Sequence, residues 1–139
     1  MKIVSACLAG IKCRFDGRAK PCQKVIELVK KGEAIPLCPE RLGGLPTPRA
    51  PTEIRGGKVY TKDGKDLTDK YAKGAKEALR VAKLVGCKVA ILKSKSPSCG
   101  VGKIFDGTFS GKLIKGDGIF ARLLKKNKIE VLTEKEKGD

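Results

Sequence analysis

Lys2-Ile3-Val4-Ser5, followed directly by Ala6-Cys7-Leu8-Ala9-Gly10, is the stretch on which the fold reading turns. A short run with apolar residues on both faces reads as a strand covered by helices on each side, as in parallel sheets. Three further segments share this character: Ala34–Leu37, Lys88–Leu92 and Ile129–Leu132. Helical patterns separate them. Pro21 suits the first turn of a helix to about Lys31, with Gly32 beyond its end. Asp66 or Thr68 begins a longer helix to about Val85, where Tyr71, Ala75, Ala78, Leu79, Ala82 and Val85 recur at helical spacing and Gly86 ends the pattern. Ile119–Lys126 forms a third helix. The alternation predicts an α/β fold: one compact domain, with a mainly parallel sheet of about four strands, helices on its faces and small hairpins in the loops.

Two loops have unusual composition. Residues 36–51 hold five of the seven prolines, which predicts a rigid connection. Residues 94–118 hold six glycines, with a small hairpin expected over Ile104–Ser110 around Asp106-Gly107. A second hairpin is expected over Glu53–Thr61, with Gly56-Gly57 at its tip. Thr133–Asp139 reads as a charged, solvated tail, so the domain is placed at residues 1–133 and the tail at 134–139.

The 139 residues fit one domain, since domains commonly run to about 100–200 residues. No apolar run approaches the roughly 18 residues of a membrane span. No apolar signal segment follows the N-terminus, so the expected location is the cytoplasm. The chain contains no His, which excludes Ser-His-Asp and Cys-His catalysis, His-ligated zinc and an imidazole proton shuttle. There is no Trp and aromatics are 4%, which argues against a base-stacking surface.

Six cysteines without an export signal point to ligands or catalytic thiols rather than disulfides. Cys7 lies two residues past the first expected strand, Cys38 follows the second, and Cys99 follows the third within Ser96-Pro97-Ser98-Cys99-Gly100. Open parallel sheets bind ligands beyond the C-terminal ends of their strands, so three distant thiols have a route to one place. Spacing alone leaves scattered core cysteines as an equal alternative. No Cys-x-x-Cys pair occurs, and the wide gaps match no common ferredoxin pattern. Cys87 reads as a core residue. Cys22, at a helix start, and Cys13, in a Gly-bounded polar loop, stay open between structural and functional roles.

Five segments together resemble the thiouracil desulfidase family. They are Ser5-Ala6-Cys7-Leu8-Ala9-Gly10, Cys13-Arg14-Phe15-Asp16-Gly17, Cys38-Pro39-Glu40, Gly43-Gly44-Leu45-Pro46-Thr47-Pro48-Arg49 and Lys95-Ser96-Pro97-Ser98-Cys99-Gly100. The resemblance implies a 4Fe–4S cluster held by Cys7, Cys38 and Cys99, with one iron left open. It also implies removal of sulfur from a thiolated pyrimidine, C=S becoming C=O without net redox change. An open iron is a Lewis acid suited to soft sulfur. Without His, a carboxylate or lysine must take the proton of the attacking water. Glu40 is the first candidate, with a salt bridge to Arg41 or Arg49 as its structural alternative. Ser96 and Ser98 are candidates to donate to substrate or cluster sulfur, with turn chemistry as the alternative. Arg49, Lys95 and Asp16 are expected to contact substrate.

The net charge of +16 favours anionic partners. Lys93, Lys95 and Lys103 flank Cys99, which suits a phosphate-bearing substrate such as a thiolated nucleotide. Two other readings are a small basic RNA-binding protein with structural cysteines and a thiol-based sulfur-carrier or redox protein. The first predicts salt-dependent RNA affinity without a chromophore. The second predicts one activated thiol and a disulfide or persulfide.

Overall fold

The computed structural model describes residues 1–136. Four strands form one parallel sheet in the order β2-β1-β5-β8: β1 (Lys2–Ser5), β2 (Ala34–Leu37), β5 (Val89–Leu92) and β8 (Glu130–Thr133). The last two start one residue later than the sequence predicts. Helix α1 (Gln23–Lys30) follows β1, α3 (Thr68–Leu84) precedes β5, and α4 (Ile119–Lys126) precedes β8. Among the described residues, no helix is long and apolar enough to cross a membrane.

Strand alternation sorts the core onto the two faces. Ile3, Ala90, Leu92 and Val131 join Ala75, Ala78 and Ala82 of α3 and Phe120, Ala121 and Leu124 of α4 in one cluster. Val4 and Ile91 join Val25 of α1 in another, together with Cys7, Leu8 and Cys13. Cys87 belongs to the first cluster and its thiol donates to the Val89 carbonyl at 3.3 Å, which agrees with a core role. Cys22 is the N-cap residue of α1, so that helix begins later than Pro21 suggests.

Two small antiparallel hairpins complete the chain. The first joins β3 (Thr52–Arg55) to β4 (Lys58–Thr61) through Gly56 and Gly57, at φ 59° and 78°. Two consecutive positive φ values fit the tight turn expected there. The second joins β6 (Lys103–Phe105) to β7 (Leu113–Lys115), so the expected pairing within Ile104–Ser110 is incorrect. Residues 106–110 form a folded loop instead. The Asp106 carboxylate accepts from the Thr108 amide and hydroxyl, while the Gly107 and Phe109 amides donate to Glu53. Those groups are therefore unavailable for a two-residue hairpin.

The proline-rich loop contains a further helix, α2 (Pro39–Leu42), with Pro39 in its first turn. It crosses α3 with almost no separation. A Cβ on Gly43 would collide with the Lys70 carbonyl, and one on Gly74 with the Pro39 carbonyl. The solvated tail begins later than Thr133, because Thr133 is in β8 and the Glu134 carboxylate is bound to Lys93 and Ser94. The rest of that expectation includes residues 137–139, which lie outside the described residues.

Candidate active site

Beyond the C-terminal ends of β1, β2 and β5 lies a cavity of about 350 Å³. The chain leaving β1 turns through Ala6–Ala9, which buries Cys7, and Gly10 at φ 93° reverses it towards Cys13. Cys38 caps α2 directly after β2. Cys99 follows a turn in which the Ser96 hydroxyl accepts from the amides of Ser98 and Cys99, each at 3.1 Å. All four thiols line the cavity. Cys7, Cys38 and Cys99 therefore line one cavity, as their places beyond the strand ends allow, and Cys13 joins them.

Cys38 Sγ donates to the Cys13 carbonyl at 3.9 Å, and the Cys13 side chain interacts with those of Cys7 and Cys38. Cys38 pulls the Cys13 thiol down, but Cys7 and burial outweigh that and hold it at about 11. Cys38 is itself pushed far above the ordinary range by Cys13 and by burial. Burial pushes Cys99 up, against the pull of Ser5. These three thiols are neutral at pH 7, so a soft metal group binding them displaces protons. Among the described residues, no three Cys, Asp or Glu side chains converge tightly enough to hold a single metal ion.

Glu40, on α2, lines the same cavity. Its Oε1 accepts from Arg49 Nε at 2.9 Å, Arg49 Nη2 at 2.8 Å and the Tyr71 hydroxyl at 3.1 Å. The Tyr71 hydroxyl also meets Thr52 Oγ1 at 2.6 Å. Among the described residues, Glu40 Oε2 has no hydrogen-bond partner. The side chains of Arg49 and Glu40 are only 7% and 12% exposed, so this is a shielded pair. Arg49 also donates to the Pro46 carbonyl and Thr47 Oγ1. Its guanidinium is thus engaged in holding Glu40, although it lies in the cavity wall.

Ser96 and Ser98 both line the cavity. Ser98 is 2% exposed, and its Oγ has no partner among the described residues. Buried hydroxyls are nearly always paired, so an unpaired one beside Cys99 marks a place for a ligand acceptor. Lys20 and Lys95 line the rim, and neither ammonium has a partner among the described residues. Asp16 is outside the cavity wall; its carboxylate accepts from the Arg18 amide and lies 3.6 Å from Arg14, closing a surface turn. Sequence reasoning missed Tyr71, whose helical spacing matches an apolar stripe, and Lys20.

Comparison with known proteins agrees with this geometry. Residues 3–136 match the family model described as 2-thiouracil desulfurase. The uncharacterized protein YbbK of Bacillus subtilis (strain 168) is 44% identical, over 100% of this chain and 99% of its own length. The solved structure of the 4Fe–4S-dependent thiouracil desulfidase TudS superposes with a TM-score of 0.91 at 42% identity, covering 95% of this chain and 89% of that one. A match along almost the whole chain, in sequence and in fold, means that this protein belongs to the 2-thiouracil desulfurase family.

Proposed function

We propose that this chain is an iron–sulfur-dependent desulfidase that converts a thiolated pyrimidine and water into the oxo pyrimidine and hydrogen sulfide. One observation carries the reading: Cys7, Cys38 and Cys99 share a cavity with a fixed carboxylate that has one oxygen free. The donor set fits a cluster. It comprises four thiols that line one cavity, with the buried, unpaired Ser98 hydroxyl beside Cys99. Cys7, Cys38 and Cys99 are the ligands in this reading. Such a cluster, with three protein ligands, supplies a Lewis-acidic iron with affinity for thiocarbonyl sulfur.

The remaining work falls to this chain's residues. Glu40 Oε2 accepts a proton from the attacking water. Arg49 and Tyr71 fix Oε1, so the free oxygen keeps one direction. The Ser98 hydroxyl donates into the cavity, while Ser96 holds the Cys99 turn and keeps its own proton to donate. Lys95 and Lys20 supply positive charge at the rim for a substrate phosphate, which favours a thiolated nucleotide over the free base.

The test is anaerobic reconstitution followed by incubation with thiouracil and its nucleotide. The expected product holds about four iron and four sulfide per chain, absorbs near about 400 nm and releases sulfide from substrate. Cys7→Ser, Cys38→Ser and Cys99→Ser each lose the absorption. Glu40→Gln keeps it and loses turnover. Colourless, iron-free protein after reconstitution rejects the reading. Lys95→Ala raises KM for the nucleotide more than for the base, and an equal effect on both rejects the phosphate assignment.

A further inference from the structure

The turn after β5, Lys93-Ser94-Lys95, forms one wall of the cavity and is held from two sides. On the inner side, the Lys93 amide donates to Ser5 Oγ at 2.9 Å. On the outer side stands Glu134, one residue past β8. Its Oε1 accepts from the Ser94 amide at 2.8 Å, and its Oε2 accepts from Ser94 Oγ at 3.0 Å. Oε2 also pairs with Lys93 Nζ at 3.1 Å. Every polar atom of this carboxylate is therefore spent on two consecutive residues of one turn.

The next residue shows why such a grip matters. Lys95 has φ 68°, a left-handed conformation uncommon for a lysine. It is bridged to Ile104 and has no side-chain partner among the described residues. Lys93 and Lys95 differ sharply in consequence. The Lys93 ammonium is engaged by Glu134 and by the Ser94 carbonyl and hydroxyl. The Lys95 ammonium lines the cavity and is in no ion pair among the described residues. A negative group on the outer side of the turn thus selects which of two neighbouring lysines faces the cavity as a free cation.

We infer that Glu134 is a positioning residue for substrate binding: it fixes the Lys93-Ser94-Lys95 turn so that Lys95 receives the substrate's anionic group. This rests on the phosphate-bearing substrate proposed above. Glu134 takes no part in bond breaking, so its removal acts on affinity for the phosphorylated substrate.

The experiment compares wild type, Glu134→Ala, Glu134→Gln, Lys95→Ala and the Glu134→Ala/Lys95→Ala double variant, all with reconstituted protein. Substrates are a thiolated uridine monophosphate and free thiouracil. Glu134→Ala is expected to raise KM for the nucleotide about tenfold, with kcat within about twofold and KM for the base unmoved. Glu134→Gln, which retains an acceptor for the Ser94 amide, recovers most of the loss. The double variant is no worse than Lys95→Ala, because one residue acts through the other. Equal losses on both substrates, or full additivity in the double variant, overturn the inference. Calorimetry with uridine monophosphate gives a readout without turnover. Failure of wild type to process either substrate rejects the desulfidase reading, while weaker nucleotide binding in Glu134→Ala still supports the positioning role. Wild type that binds no uridine monophosphate overturns that role. If Glu134→Ala does not fold, Ser94→Ala removes one of the same bonds, and an unchanged nucleotide affinity then counts against the inference.

Discussion

The sheet core and the strand-end cavity are built from the same strands but held by different forces. In the core, Phe120, Leu124, Ala90 and Leu92 are sealed by apolar contact between α4, α3 and one sheet face. In the cavity, the walls are held by directed polar bonds: Arg49 and Tyr71 on Glu40, Ser5 on the Lys93 amide, Ser96 on the Cys99 turn. Removing a core side chain leaves a void, which costs stability in proportion to its volume. Removing a cavity group leaves a partner unsatisfied and a reactive atom without a fixed direction. Stability and chemistry are thus separable in this molecule to a large degree.

That separation is open to direct attack, beginning with the largest change. Phe120 is fully buried, and Phe120→Ala should cost about 3–5 kcal/mol in denaturant unfolding of the cofactor-free protein. A loss below about 1 kcal/mol would show that the sheet is not the dominant store of stability. Arg49→Ala strands the shielded Glu40 carboxylate and should cost about 3 kcal/mol while also abolishing turnover. It is expected to damage stability and chemistry together, and an active, stable variant would break the comparison. Tyr71→Phe removes one donor from Glu40 and one partner from Thr52, and should cost about 1 kcal/mol. Its turnover should fall by a larger factor than its stability, as seen by comparing kcat with the unfolding midpoint.

The smallest effect is a pH dependence. Burial raises the Glu134 carboxyl, but the Ser94 amide and Lys93 outweigh it and hold the group below its ordinary 4.5. A depressed carboxyl contributes stability above its unfolded pKa and loses it as pH falls through the folded value. Stability should therefore decline from pH 4.5 downwards, and Glu134→Gln should flatten that part of the curve. An identical acid limb in the variant would mean that the Lys93-Ser94 tie contributes nothing to stability.

Much of the fold was legible because parallel strands have a distinctive signature. Four short apolar runs separated by helical patterns leave few alternatives, and all four pair in one sheet. That Cys7, Cys38 and Cys99 line one cavity was one of two readings the spacing left open, the other being scattered core cysteines. Other features had no local signal. A four-residue helix such as α2 is too short to show a period. Tyr71 matched the buried stripe of α3 so well that its hydroxyl was invisible to the pattern. Cys13 reaches the cavity only because the chain reverses at Gly10, a tertiary fact. Glu134 comes two residues after the last apolar residue, Leu132, and reads as part of a charged tail, since nothing in a sequence shows a carboxylate folding back on a distant turn. Asp16 belongs to a segment with family character, yet its own side chain serves a surface turn.

The crossing at Gly43 and Gly74 has a consequence for anyone redesigning this protein for heat resistance. Gly74 sits within the 17-residue α3, where alanine usually improves a helix by about 1 kcal/mol. A consensus or helix-propensity protocol would select that exchange early. Here the added methyl would strike the Pro39 carbonyl and lever α2 away from α3, taking Glu40 away from Tyr71. A screen for melting temperature alone would judge such a library by the wrong quantity. Gly43 and Gly74 should be held fixed, and stabilising changes sought on the exposed face of α3.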